Sequence, residues 1–158
     1  MIGSRCARTA GRTIATMDLP PPTKLTERVR AFLSQPLYPT LATSGTDGEP
    51  HQAVIWFRLE PDDRILVNSR GSRRWPTELR QRGGGSLAAT DLQDPFRWVG
   101  LQVVVETVVD DVARAQDDIV SLAEYYDEAD EDSVARFRSQ ERISFRLRIT
   151  AVHDHLEE

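Results

Sequence analysis

Residues 143–151 constrain the fold more than any other segment. Ile143, Phe145, Leu147, Ile149 and Ala151 alternate with Ser144, Arg146, Arg148 and Thr150. A period of two puts the apolar set on one face of a β-strand and the polar set on the other, so this strand is half buried. Other β-type runs join it. Residues 40–43 and 52–57 flank Gly45-Thr46-Asp47-Gly48, a hairpin signature. A turn at 60–63 leads to a third run at 64–68, and 87–90 and 96–109 add two more. Helical patterns lie between them. Thr23 or Thr26 can cap a short helix through Val29 and Leu33 that Pro36 and Pro39 end. Ser72 to Arg82 forms a second, with Pro76 in its first turn and Gly83-Gly84-Gly85 closing it. Val112, Ala115, Ile119, Leu122 and Tyr126 share one face of a third, and residues 133–139 make a fourth. Six strands joined mostly by hairpins, with helices inserted, predict a mainly β fold with flanking helices. The architecture expected is an antiparallel six-stranded barrel rather than a βαβ sheet.

The 158 residues suit one domain. Residues 1–22 are expected to be a flexible N-terminal arm and 23–158 the folded domain. Residues 1–16 carry Arg5, Arg8 and Arg12 without an acid, and Met17 before Asp18-Leu19-Pro20-Pro21-Pro22 reads as a genuine start. The single cysteine, Cys6, excludes an internal disulfide, and no Cys/His spacing resembles a zinc site, so no metal is expected. No apolar stretch approaches a membrane span. The formal charge of -5 argues against general nucleic-acid binding. These features point to a cytoplasmic domain whose partner is a small molecule or a protein.

The segment from Asn68 to Thr77 is the richest in chemistry. A strand ends in Ser69, Arg70, Gly71, Ser72, Arg73 and Arg74, and a helix begins at once. Free N–H groups and the positive dipole end of a helix start favour an anion, and Arg73 and Arg74 can add charge-assisted hydrogen bonds. A solvated basic turn is the plainer alternative. Of the three tryptophans, Trp56 fits a core position, whereas Trp75 and Trp98 suit core, cofactor or dimer contact equally. His51 suits a structural role, and His153 and His155 a solvent-facing tail. No nucleophile elbow, dinucleotide fingerprint or P-loop is present, and no catalytic side chain can be assigned. Where a cofactor supplies the chemistry, side chains need only position it.

The order of features resembles a known family. Leu41-Ala42-Thr43, Asp47-Gly48-Glu49-Pro50-His51 and Val54-Ile55-Trp56-Phe57 look like the opening of the pyridoxamine 5'-phosphate oxidase-like split-barrel superfamily. The run from Gly71 to Arg80, Asp94-Pro95-Phe96-Arg97-Trp98-Val99 and Glu141-Arg142-Ile143-Ser144-Phe145-Arg146 are similar to the B branch of the flavin/deazaflavin oxidoreductases. Many of these use coenzyme F-420. The resemblance covers about residues 25–156. It implies a homodimer of split barrels with cofactor sites at the interface, and a hydride transfer between F-420 and an enone, quinone or tetrapyrrole. It also implies that Arg73 and Arg74 hold the cofactor phosphate, with Ser69 and Ser72 close by and Trp75 and Glu78 in the same turn. Val54, Ile55 and Trp56 would lie along the ring, and the second subunit would present Phe96 and Trp98. FMN in place of F-420, or a flavin- or haem-binding module without turnover, are the alternatives. The chain departs from the family where Trp75 and Glu78 replace lysine and asparagine, Gly83-Gly84-Gly85 replaces Arg-Asp-Pro-Arg, and Val103 replaces glycine.

Overall fold

In the computed structural model, which describes residues 12–13 and 19–157, the alternating segment becomes the last and longest strand of a curled antiparallel sheet. The elements in chain order are β1 (Arg12–Thr13), α1 (Glu27–Leu33), β2 (Thr40–Ser44), β3 (Pro50–Val54), β4 (Phe57–Leu59) and β5 (Arg64–Arg70). They continue with α2 (Arg74–Arg82), β6 (Gly84–Thr90), β7 (Trp98–Val109), α3 (Val112–Tyr125), α4 (Glu131–Arg138) and β8 (Arg142–His155). Of the two candidate caps, Thr26 caps α1, its hydroxyl accepting from the Val29 N–H, while the Thr23 hydroxyl donates to the Thr150 carbonyl. The sheet runs in the order β3-β2-β6-β7-β8-β5-β4, and β1 pairs with β7 off this path. β1 falls inside the predicted arm. Residues 1–11 and 14–18 of that arm lie outside the described residues, whereas 19–22 are described, and the Pro20 carbonyl accepts from Arg148 at 3.0 Å.

Among the described residues the path holds seven strands where six were expected, because 52–57 is not one strand. β3 pairs with β2, whereas β4 pairs with β5 at the opposite end of the path. The two-residue link Ile55-Trp56 therefore joins the ends of the sheet and imposes its curl. The link is held from outside the ladder. The Ile55 N–H donates to the Pro39 carbonyl at 3.1 Å, and the Phe57 N–H to the Tyr126 hydroxyl at 3.1 Å. That hydroxyl in turn donates to the Leu37 carbonyl.

Inside the curl, Leu41, Val67, Leu87, Leu101, Phe145 and Leu147 form the main core, closed by Leu33 from α1 and Leu79 from α2. A second cluster of Leu66, Ile119, Leu122, Ala123 and Phe137 packs α3 and α4 on the outer face of β5. β5 is thus apolar on both faces along its first half.

Two further expectations are corrected. Of the three glycines after α2, only Gly83 terminates the helix, with φ of 75°. Gly84 and Gly85 belong to β6, where an added Cβ would lie 2.7 Å from the Val103 carbonyl and 2.5 Å from that of Ala42. Close backbone approach requires glycine there. His153 and His155 are not a free tail but the end of β8, and the His155 ring stacks on Trp98 at 4.2 Å. No helix among the described residues is long and apolar enough to cross a membrane.

Candidate functional site

The alternation of β5 sets the site. Ile65, Val67 and Ser69 point into the barrel, so Leu66, Asn68 and Arg70 share the outer face. The Asn68 amide donates to the Ala115 carbonyl and the Ser144 hydroxyl, both at 2.8 Å, which ties β5 to α3 and β8. The chain then turns at Gly71 and Ser72 and enters α2. The helix is capped by Arg73, whose side chain makes no capping hydrogen bond. Its first N–H groups are therefore not capped by a side chain.

Three cavities share Arg73. The largest, about 410 Å³, is lined by Arg70, Arg73, Arg136 and Arg142, with Tyr38, Trp56, Trp75 and Phe137 among its walls. The second, about 390 Å³, lies over the start of α2 between Ser72, Arg73, Arg74, Glu78 and His51. The third, about 270 Å³, runs along β3 past Gln52 and Ala53.

Glu78 would repel an anion in the second cavity were it free. It is instead 6 % exposed and committed inward. The Thr43 hydroxyl donates to one carboxylate oxygen at 2.7 Å, His51 Nδ1 lies 2.7 Å from the other, and Arg74 Nε stands 3.5 Å away. Burial would raise the carboxyl, but the hydrogen bonds from Thr43 and His51 and the charges of His51 and Arg74 outweigh it and hold it below its usual range. The acid locks α2 onto β2 and β3 and leaves the turn positive.

Arg142 carries the opposite balance. Burial, then the neighbouring charges of Arg73, Arg70 and Arg136, push its guanidinium down to about 10. Its one hydrogen bond runs to the Asn68 side-chain oxygen at 3.4 Å, and its buried Nε has no partner. Arg136 and Arg142 both lie over the Phe137 ring, at 5.3 and 5.1 Å. Arg70, Arg73, Arg136 and Arg142 have no carboxylate within ion-pair distance among the described residues. Of the buried side-chain polar atoms without a hydrogen-bond partner, Trp75 Nε1, Gln140 Oε1 and Arg142 Nε belong to residues lining this cavity. Buried polar groups are ordinarily paired, so the unspent capacity fits a polar ligand.

The structure brings Val54, Ile55, Trp56, Ser72, Arg73, Arg74, Trp75 and Glu78 to these linked cavities. Trp56 is half-buried rather than core, stacked on Tyr126 at 5.0 Å. Ser69 is not brought there, because its side chain faces the barrel interior at 1 % exposure. Within one chain, Phe96 and Trp98 also lie apart. Phe96 is 80 % exposed, and Trp98 borders a separate depression with Gly100 and His153. Sequence reasoning missed Arg136 and Arg142 as site residues. Arg142 was visible as the start of the polar face of the last strand, but nothing local marked Arg136.

No protein-family model matches the chain. A match 88 residues long, which covers 52 % of this chain, is 32 % identical to the isoniazid-induced protein IniC of Mycobacterium tuberculosis and spans 17 % of that protein's length. Solved structures are similar over most of the chain. An F420 reductase superposes with a TM-score of 0.68 at 22 % identity, covering 82 % of this chain and 98 % of its own. The haem storage protein HutZ of Vibrio cholerae gives 0.63 at 16 %, covering 84 % and 95 %. A Lactobacillus delbrueckii protein placed with the pyridoxamine 5'-phosphate oxidases gives 0.59 at 18 %, covering 82 % and 93 %. The chain therefore has the pyridoxamine 5'-phosphate oxidase-like split-barrel fold.

Proposed function

We propose that this split barrel binds coenzyme F-420 through the turn Ser72-Arg73-Arg74 and acts, as a homodimer, on an unsaturated small molecule of enone, quinone or tetrapyrrole type. One observation carries the reading. Arg73 stands without a carboxylate where three cavities meet, while Glu78, the acid of the same turn, is sequestered by Thr43 and His51. The donor set fits the group. Two guanidiniums and the N–H groups of a helix start suit a phosphodiester, and β3 with Ile55, Trp56 and Trp75 offers a flat apolar wall for a tricyclic ring. When bound, reduced F-420 would supply a hydride to the acceptor. The residues around it orient both partners and exclude water from their contact. The likeness to an F420 reductase supports the assignment. The exposed Phe96, Leu92 and Val54 support a partner subunit that would cover them.

Titration of purified protein with F-420, followed by the cofactor's fluorescence, is expected to show binding at tens of micromolar or tighter. No binding in that range overturns the reading. Arg73→Ala should weaken binding by about 1.5–3 kcal/mol, about 10–150-fold, with the melting temperature retained. If the melting temperature falls while affinity holds, Arg73 is structural. An FMN enzyme would instead be yellow as purified. The likeness to a haem storage protein favours one other reading, a cofactor-holding module. It predicts tight binding of flavin or haem and no oxidation of a reduced cofactor across an acceptor panel.

A further inference from the structure

The cofactor turn leaves three arginines of the cavity of about 410 Å³ unused. Arg70 comes from the end of β5, Arg136 from α4 and Arg142 from the start of β8. Nine arginines elsewhere among the described residues form ion pairs. In a chain with more acids than bases, pairing is the rule, so three guanidiniums that line one space without a carboxylate stand out, although Arg136 donates to the Ser133 hydroxyl and Arg142 to Asn68. Their surroundings narrow the ligand further. Tyr38, Ile119 and Phe137 give the same cavity apolar and aromatic walls beyond the Ile55 and Trp56 face assigned to the cofactor ring. A volume of about 410 Å³ is that of an organic ligand rather than of a bare inorganic ion. The guanidinium fork matches a carboxylate with two parallel hydrogen bonds, and Arg142 Nε is a buried donor still without an acceptor.

We infer that this cavity seats the acceptor, and that the acceptor is a planar, conjugated molecule bearing at least one carboxylate held by Arg136 and Arg142. Naming the ligand as the acceptor rests on the hydride-transfer reading, whereas the anion site does not. Arg136 and Arg142 come from α4 and the start of β8, whereas Trp56 and Trp75 come from the β3–β4 link and the start of α2, so the anionic end is held by other elements than the ring wall. The carboxylate would thus be an anchor, set apart from the reacting carbons.

The test uses the full chain without cofactor and three probes of one shape. These are 4-carboxycinnamate with two carboxylates, cinnamate with one, and methyl cinnamate with none. Calorimetric titration is expected to rank them in that order, with the dianion weakened at high salt. Arg142→Gln should weaken the dianion at least 10-fold and leave methyl cinnamate unchanged. Arg136→Gln, at an exposed position of α4, should do the same. F-420 affinity should stay within about twofold in both variants. Equal binding of the three probes, or none of the dianion, overturns the proposal. A tenfold loss of F-420 affinity in Arg142→Gln also overturns it, since the cavity would then hold the cofactor's own anionic end. Dianion binding by a protein that does not bind F-420 would keep the anion site and sink the hydride-transfer reading instead.

Discussion

Arg142 and Arg146 stand four residues apart on the same polar face of β8, and their fates differ. Arg146 is gripped by Asp118, with contacts of 2.7 and 2.9 Å, and by Glu60 at 3.4 Å. Burial works against its charge, but the hydrogen bonds and charge of those two acids outweigh it and raise its pKa. Arg142 has comparable surroundings without the acids, and its pKa falls. One arginine fastens α3 to the sheet. The other is held in place by Phe137 and Asn68 while its charge goes unanswered. Residues that lower stability without a partner of their own are characteristic of binding sites.

The sharpest way to break this contrast is Arg146→Met. It strands Asp118 and Glu60, both largely buried, and should cost about 2–4 kcal/mol, lowering the melting temperature by about 5–12 °C. An unchanged melting temperature would erase the distinction between the two arginines. Arg142→Met should act in the opposite sense. A base whose folded pKa is lowered destabilises the fold while it is charged, and that penalty fades only as pH rises above about 10. Removing the charge should therefore raise the melting temperature at neutral pH, by about 2–4 °C after allowance for solvent screening.

Glu78 sharpens the comparison on the acid side. Its folded pKa is lowered, so its contribution is present above the unfolded value and is lost as pH falls through the folded one. Glu78→Gln should make the melting temperature less sensitive to pH between about 5 and 3 than it is in the wild type. An identical acid profile for the two proteins would show that the Thr43–Glu78–His51 link is not what holds α2.

What the sequence reveals follows from the range of each interaction. The alternation of β8, the Thr26 cap and the helical spacing of Ala115, Ile119 and Leu122 are local, and the elements form where those patterns lie. The break at Ile55-Trp56 is not local. It arises because β3 and β4 pair with strands at opposite ends of the sheet, and Tyr126, about 70 residues away, supplies the hydroxyl that holds the link. The site divides in the same way. Ser72, Arg73 and Arg74 are contiguous and announce themselves beside a helix start, whereas Arg136 and Arg142 reach the adjoining cavity, which shares Arg73, only through α4 and β8. A polar residue on an alternating strand reads the same whether it meets solvent, an acid or an empty pocket. Only the packing of α3 and α4 decides between Arg146 and Arg142.

A crystal structure of the protein soaked with F-420 puts the central claim to its most direct trial. The account predicts phosphodiester oxygens within hydrogen-bond distance of the Arg73 and Arg74 guanidiniums, and the tricyclic ring against β3. A cofactor bound elsewhere, with both guanidiniums turned to solvent, would contradict it.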